Sequence, residues 1–248
     1  MDGRRLREEF RFNLQHFGGM KTLGVFSLRA INRLLPLRVR IGMVLEKVES
    51  KSLETDPRFR CGFLSPERLI QFADRDGYTI NARSLDRACR NGDECYAILD
   101  GDRLASLGWY AVRPTVNDEF LVSFNSGHVY MHKGYTHPDY RGQRLHAVGM
   151  ARALREYQQR GFRGIISDVD ARNLSSLKSV HRLGYRDIGK AYMFRAMGRD
   201  FTFSDRGCRK YGLRFDPAPE AGCTSAHGHD PDALPIAPGG LQRGSSET

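Results

Sequence analysis

One stretch constrains this chain more than any other: Tyr135-Thr136-His137-Pro138-Asp139-Tyr140-Arg141-Gly142-Gln143-Arg144-Leu145-His146. Before it, His128 to Tyr135 follows the period of two expected of a strand. After it, Ala147, Met150, Ala151 and Leu154 recur at three and four, with Arg152, Glu156 and Arg160 spaced four apart outside, as on a surface helix covering a sheet. The backbone must therefore change from strand to helix across a proline and a glycine. A helix opening there presents unpaired N–H groups and its positive dipole end, and Arg141 and Arg144 add charge. The segment has the content of an anion cradle suited to a diphosphate.

The neighbouring segments give the cradle a context. Leu23, Phe26, Ala30 and Leu34 mark an amphipathic helix over 22–35 that Pro36 stops, and Val39, Ile41, Met43 and Leu45 then alternate as a strand within 37–48. Ser65-Pro66-Glu67 reads as an N-cap with proline at the first helical position, and a short helix over 84–89 ends near Asn91-Gly92. The runs 95–99 and 104–112, joined by Asp100-Gly101-Asp102-Arg103, read as a hairpin. Strands are expected at 119–124, 128–135, 164–169 and last at 185–197. Asn173 should cap a helix that runs through Leu183 to Gly184. From Asp205 on, Gly, Pro, Ala, Ser and His dominate and periodicity disappears, which predicts a disordered tail.

Composition bounds the class. With 248 residues and 40% hydrophobic content, the chain can build one good core and is neither a disulfide-stapled scaffold nor wholly disordered. Five cysteines without a C-x-x-C pair fit reduced thiols, hence a cytoplasmic address; the N-terminus is charged where a signal peptide is apolar, and no stretch approaches a membrane span. The net charge of +10 is concentrated in 1–40, at +6, and 137–200, at +7. It favours an anionic partner without choosing among nucleic acid, a membrane surface and a phosphorylated small molecule.

The order of helix pair, hairpin, strand, P-x-x-R-G-x-x-L loop, helix and strand, followed by Asn173-Leu174-Ser175-Ser176 leading to Leu183-Gly184-Tyr185, resembles the GNAT superfamily of acyl-CoA-dependent N-acyltransferases over about 37–200. The resemblance implies an α+β fold whose central mixed, mostly antiparallel sheet is flanked by helices. A basic helical arm (1–36) would precede the acyltransferase domain (37–204), and the tail (205–248) would follow. It further implies acetyl-CoA or another acyl-CoA as co-substrate, no metal, and an amine acceptor that is a small molecule or a peptide. Arg141, Gly142, Gln143, Arg144, Leu145 and His146 would form the pyrophosphate loop, Tyr135 and Thr136 would face the pantetheine arm, and Asn173 and Ser176 would lie near the cofactor. Three positions depart from the family pattern. Arg144 and His146 are not small, and Val180 stands where many members carry a tyrosine that protonates the departing thiolate.

Acyl transfer to an amine needs a base, an oxyanion donor and fixed geometry. The family's oxyanion donor would fall near Tyr135 or Thr136. Alternation places His128, Tyr130 and His132 on one strand face as a polar row, with His132 the leading base, ahead of His128. Should both histidines be structural, water, Asp118 or Glu119 could serve. His181 ranks below His132, Cys95 and Trp109 read as core, and Cys223, His227, His229 and Asp230 lack metal-site spacing. The competing class is a binding protein with a non-catalytic GNAT-like domain, whose arm docks peripherally on anionic membrane or, less in keeping with the sequence, nucleic acid. Transfer of an amino acid from charged tRNA also suits the charge, but such enzymes usually duplicate the domain and this chain has room for one copy.

Overall fold

The computed structural model describes residues 3–34, 37–73, 80 and 82–218. In chain order its elements are α1 (Gly3–Phe17), α2 (Gly19–Leu34), β1 (Leu37–Leu45), β2 (Phe59–Leu64), α3 (Pro66–Ile70), α4 (Ala82–Asn91), β3 (Glu94–Asp100), β4 (Arg103–Ala111), β5 (Thr115–Asn117), β6 (Phe120–Ser123), β7 (His128–Thr136), α5 (Leu145–Gln159), β8 (Gly164–Asp170), α6 (Leu174–Leu183), β9 (Arg186–Ala196), β10 (Arg199–Ser204), α7 (Arg206–Lys210) and β11 (Arg214–Pro217). The hairpin at Gly101, the Ser65 cap, which accepts from the Arg68 N–H, and the Gly184 terminator at φ 112° all form where their residues demand them. Pro36 and residues 219–248, with Cys223, His227, His229 and Asp230, lie outside the described residues.

Eight strands form one sheet in the order β10-β9-β1-β8-β7-β4-β3-β2, antiparallel throughout except for the parallel pair β7–β8, and β11-β6-β5 form a smaller sheet. This is the expected mixed, mostly antiparallel sheet. One core joins α2, α5 and α6 to the sheet through Val25, Met150, Leu154, Leu174, Leu177, Met43, Leu45, Val129 and Met131. On β3 and β4, a second core packs α3 and α4 through Leu69, Phe72, Leu85, Cys95, Leu107 and Trp109.

Three features differ from the sequence reading. The edge strand β2 carries no clean alternation and was not expected. The strand expected within 37–48 ends at Leu45 and, as β1, inserts between β8 and β9, antiparallel to both. Its apolar residues are buried from two sides, which local alternation does not reveal.

The tail expected from Asp205 is corrected over 205–218, where the chain folds on as α7 and β11. Cys208, Leu213 and Phe215 are buried with Val44, Tyr130, Ile166 and Ala191 in a third core. Asp205 caps α7 by accepting from Cys208 N at 2.9 Å and also accepts from Lys190 N at 2.8 Å. Glycine at position 42 makes room, since a Cβ there would lie 2.8 Å from Leu213 Cδ2 and 2.9 Å from Cys208 Sγ. Three apolar residues in a short stretch are enough to anchor it once a preformed sheet face awaits them, whereas the average composition of 205–248 hides them. Accordingly β9 is not the last strand.

Candidate active site

The site begins with a break in strand pairing. β7 and β8 run parallel from His128↔Gly164 to Met131↔Ser167, where Ser167 Oγ donates to the Met131 carbonyl at 3.0 Å, and there their pairing ends. Across the other edge the register with β4 shifts between Trp109↔Lys133 and Tyr110↔Met131, which leaves His132 as one extra residue in a β-bulge. From His132 to Thr136, β7 therefore turns its β8-facing edge into a cleft between two diverging strands. Past Met131 β7 forms no ladder with β8, and an extended ligand could add along that side as a strand.

At the end of β7 the chain makes a short 3-10 turn, Pro138–Tyr140, capped by His137, and then enters the cradle. Gly142 (φ 82°) and Arg144 (φ 58°) both adopt the left-handed region, and α5 starts at Leu145. Arg144 so takes a glycine-favouring conformation despite its Cβ, at a cost of about 1–2 kcal/mol. The first-turn amides of Leu145, His146 and Ala147 have no intrahelical acceptor and point outward. Thr136, Arg141, Gly142, Arg144, Leu145 and His146 line one hollow of about 200 Å³, closed on its far side by Ser179, Arg182 and Leu183 of α6. Among the described residues no carboxylate pairs with Arg141, Arg144 or Arg182. His146 folds its ring back over β7, where a Cβ on Gly134 would lie 2.1 Å from its Cε1. Burial there pushes the imidazole pKa down to about 4, so the ring is neutral at physiological pH.

The remaining residues expected near the cofactor do not line this hollow. Tyr135 packs with the Leu107 and Trp109 core, and Gln143 accepts from Arg58 at 3.2 Å and lines a neighbouring hollow. Asn173 caps α6, accepting from Ser176 N at 3.1 Å and Ser175 Oγ at 2.9 Å, in a hollow that α1 shares. Val180 packs against the main core.

The polar row splits into three environments. Tyr130 and His132 share a face, their rings stacked at 6.1 Å and 17°. Tyr130 is fully buried; its hydroxyl donates to Asp168, which is ion-paired to Arg40, and accepts from Asn117 at 3.3 Å. Burial, with the Asp168 charge, holds its phenol protonated far above the usual range. His128 is buried four residues upstream, about 13 Å along the strand, with Nδ1 2.6 Å from Asn125 Oδ1 and Nε2 3.7 Å from Glu46 Oε1. Burial lowers its pKa.

His132 alone stands at the cleft. Its Nε2 lies 3.2 Å from Asp93 Oδ2, the two side chains 6% and 4% exposed, yet neither ring nitrogen completes a hydrogen bond among the described residues. Asp93 is held by Thr115 Oγ1 at 2.9 Å and Asn91 Nδ2 at 2.6 Å. A small hollow of about 90 Å³, lined by Arg87, Trp109, Val116 and Lys133, opens on this pair. Sequence reasoning missed Asp93, Asp168, Arg182 and Ser179. Asp93 follows a helix-ending Asn-Gly, where an acidic residue is unremarked, and it meets His132 only because β3 and β7 flank β4. Among the described residues no group of three His, Cys, Asp or Glu could hold a metal ion, and no helix is long and apolar enough to cross a membrane.

The model of the acetyltransferase (GNAT) family matches residues 61–185, half of the chain, and the chain belongs to that family. Among solved structures it is similar to a GNAT-family protein of Novosphingobium aromaticivorans (14% identity, 74% of this chain and 66% of that one, TM-score 0.44). It is also similar to a GCN5-related N-acetyltransferase-like protein of Streptococcus suis (18%, 67% and 67%, 0.41) and to a GCN5-related N-acetyltransferase of Sphaerobacter thermophilus (14%, 72% and 56%, 0.47). The chain thus spans between 56% and 67% of the length of these structures. No curated protein matches it.

Proposed function

We propose that this protein transfers an acyl group, acetyl in the simplest case, from an acyl-CoA to an amine, with His132 as the base. The observation that carries the reading is a buried histidine with two unmet ring nitrogens beside a fixed carboxylate, at the mouth of a cleft that leads to an anion cradle. About 13 Å of β7 separates His132 from Thr136 at the cradle, a span suited to a pantetheine arm between a diphosphate and its thioester. The amides of Leu145 to Ala147 and the guanidinium groups of Arg141 and Arg144 would hold the diphosphate. A backbone N–H of β7 beyond the bulge would donate to the thioester carbonyl oxygen as it gains charge. His132 takes the ammonium proton of the acceptor, directly or through one water, while Asp93 orients the ring and offsets the charge it acquires. Tyr130, engaged with Asp168, positions the His132 ring by stacking. The thiolate leaves without a tyrosine from α6, and solvent supplies its proton. Among the described residues Cys61, Cys89, Cys95 and Cys208 form no disulfide, in keeping with a cytoplasmic enzyme.

Thiol release from acetyl-CoA across an amine library tests this. His132→Ala should lower kcat/KM by about 10² to 10⁴ while leaving acetyl-CoA affinity nearly unchanged, and the acidic limb of the pH profile should move or vanish. Undiminished turnover in that variant would end the assignment. The alternative of a non-catalytic protein that docks on anionic membrane draws support from the arm, where Met20 and Leu23 are 90% and 64% exposed beside exposed Arg11 and Lys21. On that reading, salt-sensitive binding to anionic vesicles should occur without any thiol release.

A further inference from the structure

A second and larger hollow lies away from the cleft, between α2, α6 and the β1–β9 pair, with a volume of about 820 Å³. That is the size of a ligand site rather than a packing flaw. Its walls are apolar: Val25 and Leu28 of α2, Val39 and Ile41 of β1, Leu174 and Leu177 of α6.

The groove is polar in one direction. Strand register sets Tyr192 opposite Val39 and Lys190 opposite Ile41, and Ala171, just ahead of α6, donates to the Val39 carbonyl. α6 then runs from Leu174 at the Val39 end to Arg182, and its His181 reaches Asp187 on β9 at 2.7 Å. The apolar side chains of β1 and α6 therefore begin at the Val39 end and Arg182 and Lys190 lie toward the other, while Lys21 lines the same hollow and Lys178, midway along α6, lies over the Phe17 ring at 5.4 Å. Of the carboxylates lining the groove, Asp187 is taken by His181, and no carboxylate among the described residues pairs with Lys21, Arg182 or Lys190. An apolar channel closed by unpaired cations complements one kind of molecule.

We infer that this groove binds a single-chain anionic amphiphile, a fatty acid or fatty-acyl conjugate, with its chain toward Val39 and its acidic head at Lys21, Arg182 and Lys190. The eight helical steps of α6 from Leu174 to Arg182 span about 12 Å, and an extended chain advances about 1.2 Å per bond. The groove therefore fits a chain of roughly ten carbons. The inference stands whether or not the chain acylates amines, because the groove shares only Arg182 with the cradle.

Calorimetry on the full chain with straight-chain carboxylates, below their micelle concentrations, tests it. Affinity should rise about threefold to fourfold per methylene and level off near ten carbons. Decanol, with the same chain and no charge, should bind at least about tenfold more weakly. Lys21→Gln with Lys190→Gln, both exposed side chains, should erase the preference for decanoate over decanol. Equal affinity for acid and alcohol, or affinity indifferent to chain length, would overturn the inference. Decanoyl-CoA separates the two sources of the chain. If it occupies the groove as the transfer donor, Arg141→Glu with Arg144→Glu will weaken decanoyl-CoA and spare decanoate; if the natural occupant is a free acid, decanoate binding will persist at saturating decanoyl-CoA.

Discussion

At the scale of single residues, two side chains in the cradle carry stored cost. His146 is a partly exposed residue whose ring is nonetheless enclosed over Gly134, with a pKa near 4. A free imidazole titrates near 6.5, so between these values the unfolded chain binds a proton that the folded chain refuses. The contribution is complete above pH 6.5 and is lost as pH falls toward 4. Denaturant melts should show a decline of about 1–3 kcal/mol across that window, and His146→Gln should flatten it. Gly134→Ala would set a Cβ 2.1 Å from the ring. The imidazole must then leave, at a loss of about 1–3 kcal/mol in stability and a weaker hold on acetyl-CoA, measured by thermal melts and calorimetry. Arg144 at φ 58° is the other cost. Arg144→Gly should raise the melting temperature by relieving that strain, yet weaken acetyl-CoA by the about 1.5–3 kcal/mol of a charge-assisted contact. A variant that gained in both would mean the guanidinium only obstructs the loop.

The elements of the site differ in how far the sequence displays them. The transition from β7 to α5 was legible because proline, glycine and a change of period all fall within twelve residues, each with a local physical meaning. The bulge at His132 was not, since alternation along one strand says nothing about the register of its partner β4. The polar row consequently looked uniform, although it holds a buried histidine partnered by Asn125, a buried phenol on Asp168 and a histidine at the cleft. α7 was hidden for a different reason: five helical residues have no measurable period, and the cap that starts them, Asp205, draws its second bond from β9. Asp205→Ala should cost about 1–2 kcal/mol. If it left stability unchanged in chemical denaturation, α7 would not anchor the C-terminal segment.

For the whole molecule, the consequential feature is that β1 and the C-terminal end of the described chain close the same half of the sheet. β1 arrives from the N-terminal side and fills the gap between β8 and β9, and residues 205–218 cover Val44, Tyr130 and Ile166. Truncation after Ser204 removes three buried side chains, each worth about 1.5–3 kcal/mol, and uncovers the Tyr130 network on which His132 stacks. The truncated protein should melt far lower or aggregate, and lose acyl transfer with it. A fragment starting at Cys61, where the family match begins, lacks β1 and exposes an edge on both β8 and β9. It should be insoluble, whereas soluble and cooperative unfolding of that fragment would show β1 to be dispensable.

Read from one end to the other, the sequence determined on its own what depends on neighbours a few residues apart: the caps at Ser65 and Asn173, the hairpin at Gly101, the helix stop at Gly184, the cradle between β7 and α5, and through that cradle the family. Only the tertiary structure decided what depends on residues distant in the chain. It set β1 between β8 and β9, brought Asp93 to His132 across β4, placed Arg182 in the wall of the cradle, and buried Cys208, Leu213 and Phe215. The division has one physical cause: backbone conformation answers to local sterics and hydrogen bonding, while register, burial and side-chain encounter are settled by packing the whole sheet at once.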